Sequence, residues 1–485
     1  MTDLVLFEKA GVNPAYVERF LSATAAQGIN FHSVLMMRGN NLFFEKYWEP
    51  FHKDFCHRMY SVTKSFVGVA VGCLVDEGRV SLDDPIVQYF PDKLPDEVHP
   101  LLKKQTIRDM LTMRTCFAET KYWFQPHVTD RLRFYFAKPV RKPSGTIFDY
   151  DSDGSHVLGT LVERVTGLSL LEYLKEKVLN KIGGFEEAKI LKTPDGTPWA
   201  DSAMICTPRA LMNFARFVMN YGTWNGERLL SEEYLRNATT RQTDNNVDGS
   251  VLYDLHGYGY QIYMNDMGFS FEGMGGQFAI CAPDKDFIFV CTADTQLSSL
   301  IDYPNIFREV GRLLQTLDDG EERIEPFDLD APLSLSIARG EAHSPFEKLI
   351  SGKTYRMAPN PMGIQWMRLE FEDDGGVLTY ENEQGEKKLP FGMKSNWFGP
   401  FPQAGYSHEY GNVHVVDDFR YHCAVSAGWI EPEKLQIYVQ IIDEYFGRLV
   451  MTLGFAGPET IGVCMVKTAE DFLNEYQGWA YGSQE

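Results

Sequence analysis

Cysteine is scarce in this 485-residue chain, 8 in all, and no two of them stand as C-x-x-C. That spacing excludes the common zinc and dithiol motifs. Cys73, Cys281 and Cys291 sit in apolar runs and read as buried free thiols. Basic residues are outnumbered, 46 Lys and Arg against 67 Asp and Glu, which leaves a formal net charge of -21. Such a polyanion repels phosphate backbones and anionic lipid, so neither nucleic acid nor a membrane is an expected partner. Long hydrophobic runs are missing too. The strongest, Phe66 to Val75, falls short of the roughly 20 residues that span a bilayer. Met1 to Gly11 lacks the basic start and apolar stretch of a signal peptide, and a cytoplasmic location is the default expectation. There is no G-x-S-x-G and no H-E-x-x-H, and Gly352-Lys353-Thr354 has Glu347 where a P-loop needs glycine. No metal or cofactor is expected.

What is present is a chain of folded-protein composition, 44% hydrophobic and 13% aromatic, long enough for two or three domains. Asn13-Pro14 reads as a helix cap followed by a first-turn proline. Ser33–Arg38 and Leu42–Tyr47 flank Gly39-Asn40-Asn41 as a hairpin. Ser61 to Glu77 is apolar on nearly every side and predicts a buried helix. Thr106 to Asp109 resembles a capping box opening a helix through Met113. Further helices are expected over Gly154–Val165, Thr207–Asn220 and Ile306–Leu317, and strands over Gly259–Met264, Phe278–Ala282 and Phe287–Thr292. This order is α+β, a sheet flanked by helices. Asp318 to Asp330 is acidic and reads as a linker. The expected domains are residues 1–320, a linker over 321–332, and an all-β, barrel-like domain over 333–485. Its strands are Ile364–Phe371, Val377–Glu381, Val413–Val416, Lys434–Ile442, Arg448–Phe455 and Thr460–Lys467. Phe391 to Phe401, with Trp397 and Pro400, reads as a loop.

Three segments can carry chemistry. Ser61-Val62-Thr63-Lys64 is S-x-x-K at the head of the buried helix. One helical turn puts both side chains on one face, so the amine reaches the hydroxyl and can take its proton, while the helix N-terminus favours the alkoxide. The bland alternative is a cap followed by a solvated lysine, but a lysine against Phe66 and Val67 is costly unless used. Tyr150-Asp151-Ser152 precedes a helix. Tyr150 can shuttle a proton and Ser152 can bond Lys64 or the substrate, or the tyrosine simply packs on the helix. Gly273-Met274-Gly275-Gly276-Gln277 stands beside a strand. Its glycines let a ligand approach the backbone, and the amides of Gln277 and Ser61 can form an oxyanion hole, or the segment is only a tight bend.

Taken in order, the three segments resemble the serine β-lactamase and penicillin-binding-protein superfamily, in particular class C β-lactamases, D-aminopeptidases and related esterases. The resemblance spans about residues 30 to 315 and includes Leu82-Asp83-Asp84-Pro85-Ile86, Tyr89-Phe90-Pro91 and Tyr221 to Gly226. It implies that Ser61 is acylated, that Lys64 helps deprotonate it and that Tyr150 acts as acid and base. Ser152 stands where the family often has Asn. The third segment usually begins with Lys or His, which holds a substrate carboxylate; here it is Met274, which cannot. The resemblance therefore implies hydrolysis of small neutral esters, amides or short peptides. Its alternative is a penicillin-binding sensor that acylates without turnover. The C-terminal part resembles the lipocalin-like barrels that follow some members.

Overall fold

The computed structural model describes the chain except residues 1–3, 119–127, 248–255, 297–298, 318–328, 330 and 470–471, and gives the backbone alone for residues 4, 299–301, 406 and 411–418. Two compact units result, Met1–Ser334 and Leu335–Glu485. Most of the predicted acidic linker lies outside the described residues.

The first unit is built on a seven-stranded sheet. Its strands are β1 (Phe31–Arg38), β2 (Asn41–Glu49), β3 (Tyr263–Asn265), β4 (Gly268–Gly273), β5 (Gln277–Ala282), β6 (Phe287–Ala293) and β7 (Leu333–Ser334), in the order β7-β2-β1-β6-β5-β4-β3. All neighbours are antiparallel except β7, which runs parallel to β2. β1 and β2 form the predicted hairpin, closed between Arg38 and Asn41. Strand residues alternate between two apolar cores. Leu35, Phe271, Ala279, Cys281 and Val290 join helices α2 (Thr63–Asp76), α3 (Ser152–Thr166) and α4 (Pro208–Met219). Val34, Met36, Phe278, Ile280 and Phe289 join α1 (Pro14–Ala26) and α5 (Ser299–Thr316). Both faces are covered, so these strands read as continuous apolar runs.

Two expectations in this unit need correction. The strand expected over Gly259–Met264 forms only at Tyr263–Asn265. Gln261 stands at φ +60° with its side-chain amide turned inward, donating to the Met110 and Leu111 carbonyls, and that geometry breaks the ladder. β4 was not anticipated, because Ser270 and Glu272 interrupt its apolar character. The helix expected from Ile306 begins earlier, at Ser299, and contains Pro304.

Among the described residues the second unit has ten strands: β8 (Thr354–Met357), β9 (Trp366–Glu372), β10 (Gly375–Asn382), β11 (Gly385–Met393), β12 (Trp397–Ser407), β13 (Gly411–Glu431), β14 (Lys434–Ile442), β15 (Phe446–Phe455), β16 (Thr460–Thr468) and β17 (Gly478–Gln484). Nine close on themselves in the order β11-β10-β9-β8-β17-β16-β15-β14-β13. The parallel pair Gly392–Ser426 and Met393–Ala427 seals the ring, and β12 rides on β13 outside it. The expected all-β, barrel-like domain is thus a closed barrel. Phe391–Phe401, expected as a loop, belongs largely to β11 and β12. Pro390 and Pro400 hid these strands from the sequence. β11 pairs with β13 only at Gly392 and Met393, and β12 pairs with β13 alone, so each proline stands where a ladder tolerates a missing N–H. Among the described residues no helix is long and apolar enough to cross a membrane.

Candidate active site

Ser61 lies in a 3-10 turn, Tyr60–Val62, that runs directly into α2. Tyr60 holds φ at +47°, a conformation a bulky residue adopts only when its surroundings enforce it. Residues 199–206 supply that enforcement. His57–Arg58 pairs with Met204–Cys206, Met59 N–H donates to the Met204 carbonyl at 2.8 Å, and Met204 N–H donates to Thr63 Oγ1 at 3.0 Å. Arg58 donates to the Ser202 carbonyl and hydroxyl at 3.0 and 3.1 Å, with its guanidinium 4.4 Å from the centre of the Tyr60 ring.

Lys64 is only 1% exposed. Its Nζ donates to Ser61 Oγ at 2.9 Å and to the Asp201 backbone carbonyl at 2.8 Å. A 3-10 turn stacks residues i and i+3 almost one above the other, which brings amine and hydroxyl together as the spacing implied. The ring centre of Tyr150 is 4.9 Å from the same Nζ. Tyr150 in turn stacks on Tyr263, with centroids 6.0 Å apart, and Tyr258 meets Tyr263 edge-on at 4.8 Å. The first two sequence segments are therefore joined at Lys64.

The third segment lies against the same turn. A Cβ on Gly273 would come within 2.2 Å of the Met59 carbonyl, so only glycine lets β4 approach this closely. Gly275 and Gly276 have φ of +81° and +88° and form the turn into β5. Their amides do not face open space: both donate to the Tyr303 hydroxyl, at 2.6 and 3.3 Å. The Gln277 side chain is also committed. It donates to the carbonyls of Ala293 and Met274 and accepts from Ala293 N–H, tying β5 to β6. Its backbone is in register with Gly273. Met274, at the tip, is 37% exposed. Ser152 is buried and opens α3, capped by Asp151, whose carboxylate accepts from Gly154 N–H at 3.1 Å. The hydrogen bonds of Lys64 go to Ser61 and Asp201.

Behind Lys64 lies a buried ionic cluster. Arg131 bridges Asp201 at 2.6 Å and Asp153 at 3.1 Å, and Lys138 reaches Asp153 at 3.3 Å and Asp151 at 3.7 Å. Burial raises the Asp201 carboxyl, but Arg131, then Lys64 and His156, hold it net below the usual range. Asp151 goes the other way, raised by burial in spite of Lys138. On β4, burial pushes Glu272 up to about 7 against the opposing bond from Ser270. Asp201 and Tyr303 were not identified as parts of the framework from sequence. Asp201 and Tyr303 touch their partners across 137 and 28 positions, and no local pattern marks either.

The Beta-lactamase family model matches residues 17–301. The 6-aminohexanoate-dimer hydrolase of Paenarthrobacter ureafaciens is 29% identical over 216 residues, 41% of this chain and 55% of that protein. Esterase EstB of Burkholderia gladioli is 29% identical over 189 residues, 34% of this chain and 46% of its own length. The chain thus spans about half the length of these curated relatives. A solved Bacteroides dorei structure assigned as a beta-lactamase superposes with a TM-score of 0.52 at 16% identity, covering 63% of this chain and 99% of that one, and so shares the fold. Ser61, Lys64, Tyr150 and the glycine turn all fall within the matched 17–301, and the chain belongs to the beta-lactamase family.

Proposed function

We propose that this protein is a serine hydrolase that cleaves small ester or amide bonds, short peptides included, through an acyl-enzyme on Ser61. The observation that carries the reading is the 2.9 Å contact between Lys64 Nζ and Ser61 Oγ, held by a second bond to the Asp201 carbonyl. With its amine neutral, Lys64 accepts the hydroxyl proton as Ser61 Oγ attacks the carbonyl carbon. The backbone amides of Ser61 and Gln277 are assigned to the oxyanion. Tyr150, beside Lys64, passes a proton to the departing alcohol or amine and regains one from Lys64; water then attacks the ester on Ser61, giving its proton by the same pair to Ser61 Oγ as the acid leaves. Relatives named as a hydrolase and an esterase support this chemistry.

Intact mass after treatment with a fluorophosphonate, beside turnover of p-nitrophenyl butyrate and a chromogenic cephalosporin, tests the reading. We expect one adduct on Ser61 and turnover of the ester, both lost in Ser61→Ala, with the cephalosporin the poorer substrate because Met274 supplies no cation. An adduct without turnover would instead identify an acylating binding protein. The absence of any adduct would overturn the reading.

A further inference from the structure

We propose that Glu272 makes the candidate site selective for substrates that carry an ammonium group, an inference that rests on the hydrolase reading above. The position that would hold a cation for a substrate carboxylate is Met274, which has no charge. Two residues before it, β4 presents a carboxyl instead. Glu272 accepts a 2.6 Å hydrogen bond from Ser270 Oγ and has no ion-pair partner among the described residues. The charge character of this corner is therefore inverted.

Its walls suit the same ligand. Tyr263 is in register with Ser270 across the β3–β4 pair, and its ring stacks on Tyr150, with Tyr258 edge-on behind. Tyr150, Tyr263 and Glu272 all keep partial exposure, while Tyr258 is buried. Aromatic faces joined to one carboxylate are the composition of an ammonium cage, since ring quadrupole and carboxylate both attract a cation and repel an anion. The groups that face Glu272 are Ser270 on its own strand and the phenols of Tyr258 and Tyr263, which burial holds well above their ordinary range. Glu272 is thus the group among them that titrates near neutrality. An ammonium ligand stabilises its charged form, so selectivity for cations must grow as pH rises through 7.

The test uses two isosteric pairs: p-nitrophenyl 7-aminoheptanoate against p-nitrophenyl octanoate, and butyrylthiocholine against S-(3,3-dimethylbutyl) thiobutyrate. They place the cation on the acyl side and on the leaving group in turn. In at least one pair the cationic member should have kcat/KM about tenfold above its isostere at pH 8. That ratio should fall toward one at pH 6, and toward one at every pH in Glu272→Gln. A wild-type ratio at or below one in both pairs overturns the proposal, as does a ratio that Glu272→Gln leaves unchanged while the melting temperature is kept. Should Glu272→Gln not fold, the wild-type ratio decides: both cations keep their charge between pH 6 and pH 8, so a ratio above one that does not fall between pH 8 and pH 6, in whichever pair shows it, overturns the proposal. Failure of the hydrolase reading is separately visible, as no fluorophosphonate label on Ser61 and no turnover of the uncharged esters, and would take this inference with it.

Discussion

Tyr303 shows how one hydroxyl can set the shape of a reactive turn. It accepts from the amides of Gly275 and Gly276, and its ring packs edge-on to Phe278 with centroids 4.8 Å apart. Tyr303→Phe keeps the ring and removes the 2.6 Å acceptor of Gly275 N–H, while Gly276 N–H keeps the Gly273 carbonyl at 3.2 Å. Leaving the Gly275 group unpaired costs on the order of 1 kcal/mol. The folded variant should melt a few degrees lower, and the rate of Ser61 labelling by a fluorophosphonate should drop by roughly tenfold as the turn beside it loosens. An unchanged labelling rate would show that the turn keeps its geometry without Tyr303. Nothing near Tyr303 in the sequence announces this role, since the contact exists only once α5 packs on the sheet. The Ser61–Lys64 pair was legible for the opposite reason: both members lie within one turn, so spacing alone brought them together. Tyr150 lay between. Its segment could be read, but not the ring's place beside Lys64, which depends on α2 and α3 meeting.

At the scale of elements, α2 owes its central position to small residues as much as to large ones. A Cβ on Gly72 would lie 2.4 Å from Cε1 of Tyr234, whose hydroxyl donates to the Gly68 carbonyl at 2.6 Å. Gly72→Ala raises intrinsic helix propensity by about 1 kcal/mol. Overpacking against a fully enclosed ring costs more, about 1–3 kcal/mol, so the net effect should be a loss of stability in urea titration. Combining it with Tyr234→Leu should recover part of that loss, a non-additivity that separate effects would not give. The apolar run of α2 was plain in the sequence because burial on all sides needs no period. The paired runs of β1 and β2, and β5 with β6, were equally plain. β4 was not, for its Ser270 and Glu272 are bonded to each other and break the apolar run that marks a core strand. β11 and β12 were obscured by prolines whose tolerance depends on which strand edge stays unpaired, a property of the assembled barrel.

For the molecule as a whole, response to acid should divide the two units. His57 and His156 are buried in the first unit, and burial lowers their pKa values to about 3 and about 4. The two ring nitrogens of His156 have no hydrogen-bond partner among the described residues. In the unfolded chain each histidine takes up its proton near pH 6.5. Below that pH the unfolded state binds more protons, so folding stability falls with pH until the native group titrates as well. For His156 the window is about pH 6.5 to 4, and the loss at its lower end is on the order of 3 kcal/mol. Carboxylates held below their ordinary range, Asp92 and Asp201 among them, extend the decline to lower pH as they are protonated. Glu272 and Asp151, raised by burial, oppose it. All of these groups belong to Met1–Ser334. Hydrogen exchange followed by mass spectrometry should therefore show peptides of the first unit losing protection between pH 6.5 and 4 while those of the barrel keep theirs. His156→Leu removes the group that must stay neutral and replaces an unpaired polar ring with apolar volume. It should flatten the decline in that window, and a variant as acid-sensitive as the parent would assign the effect to other groups.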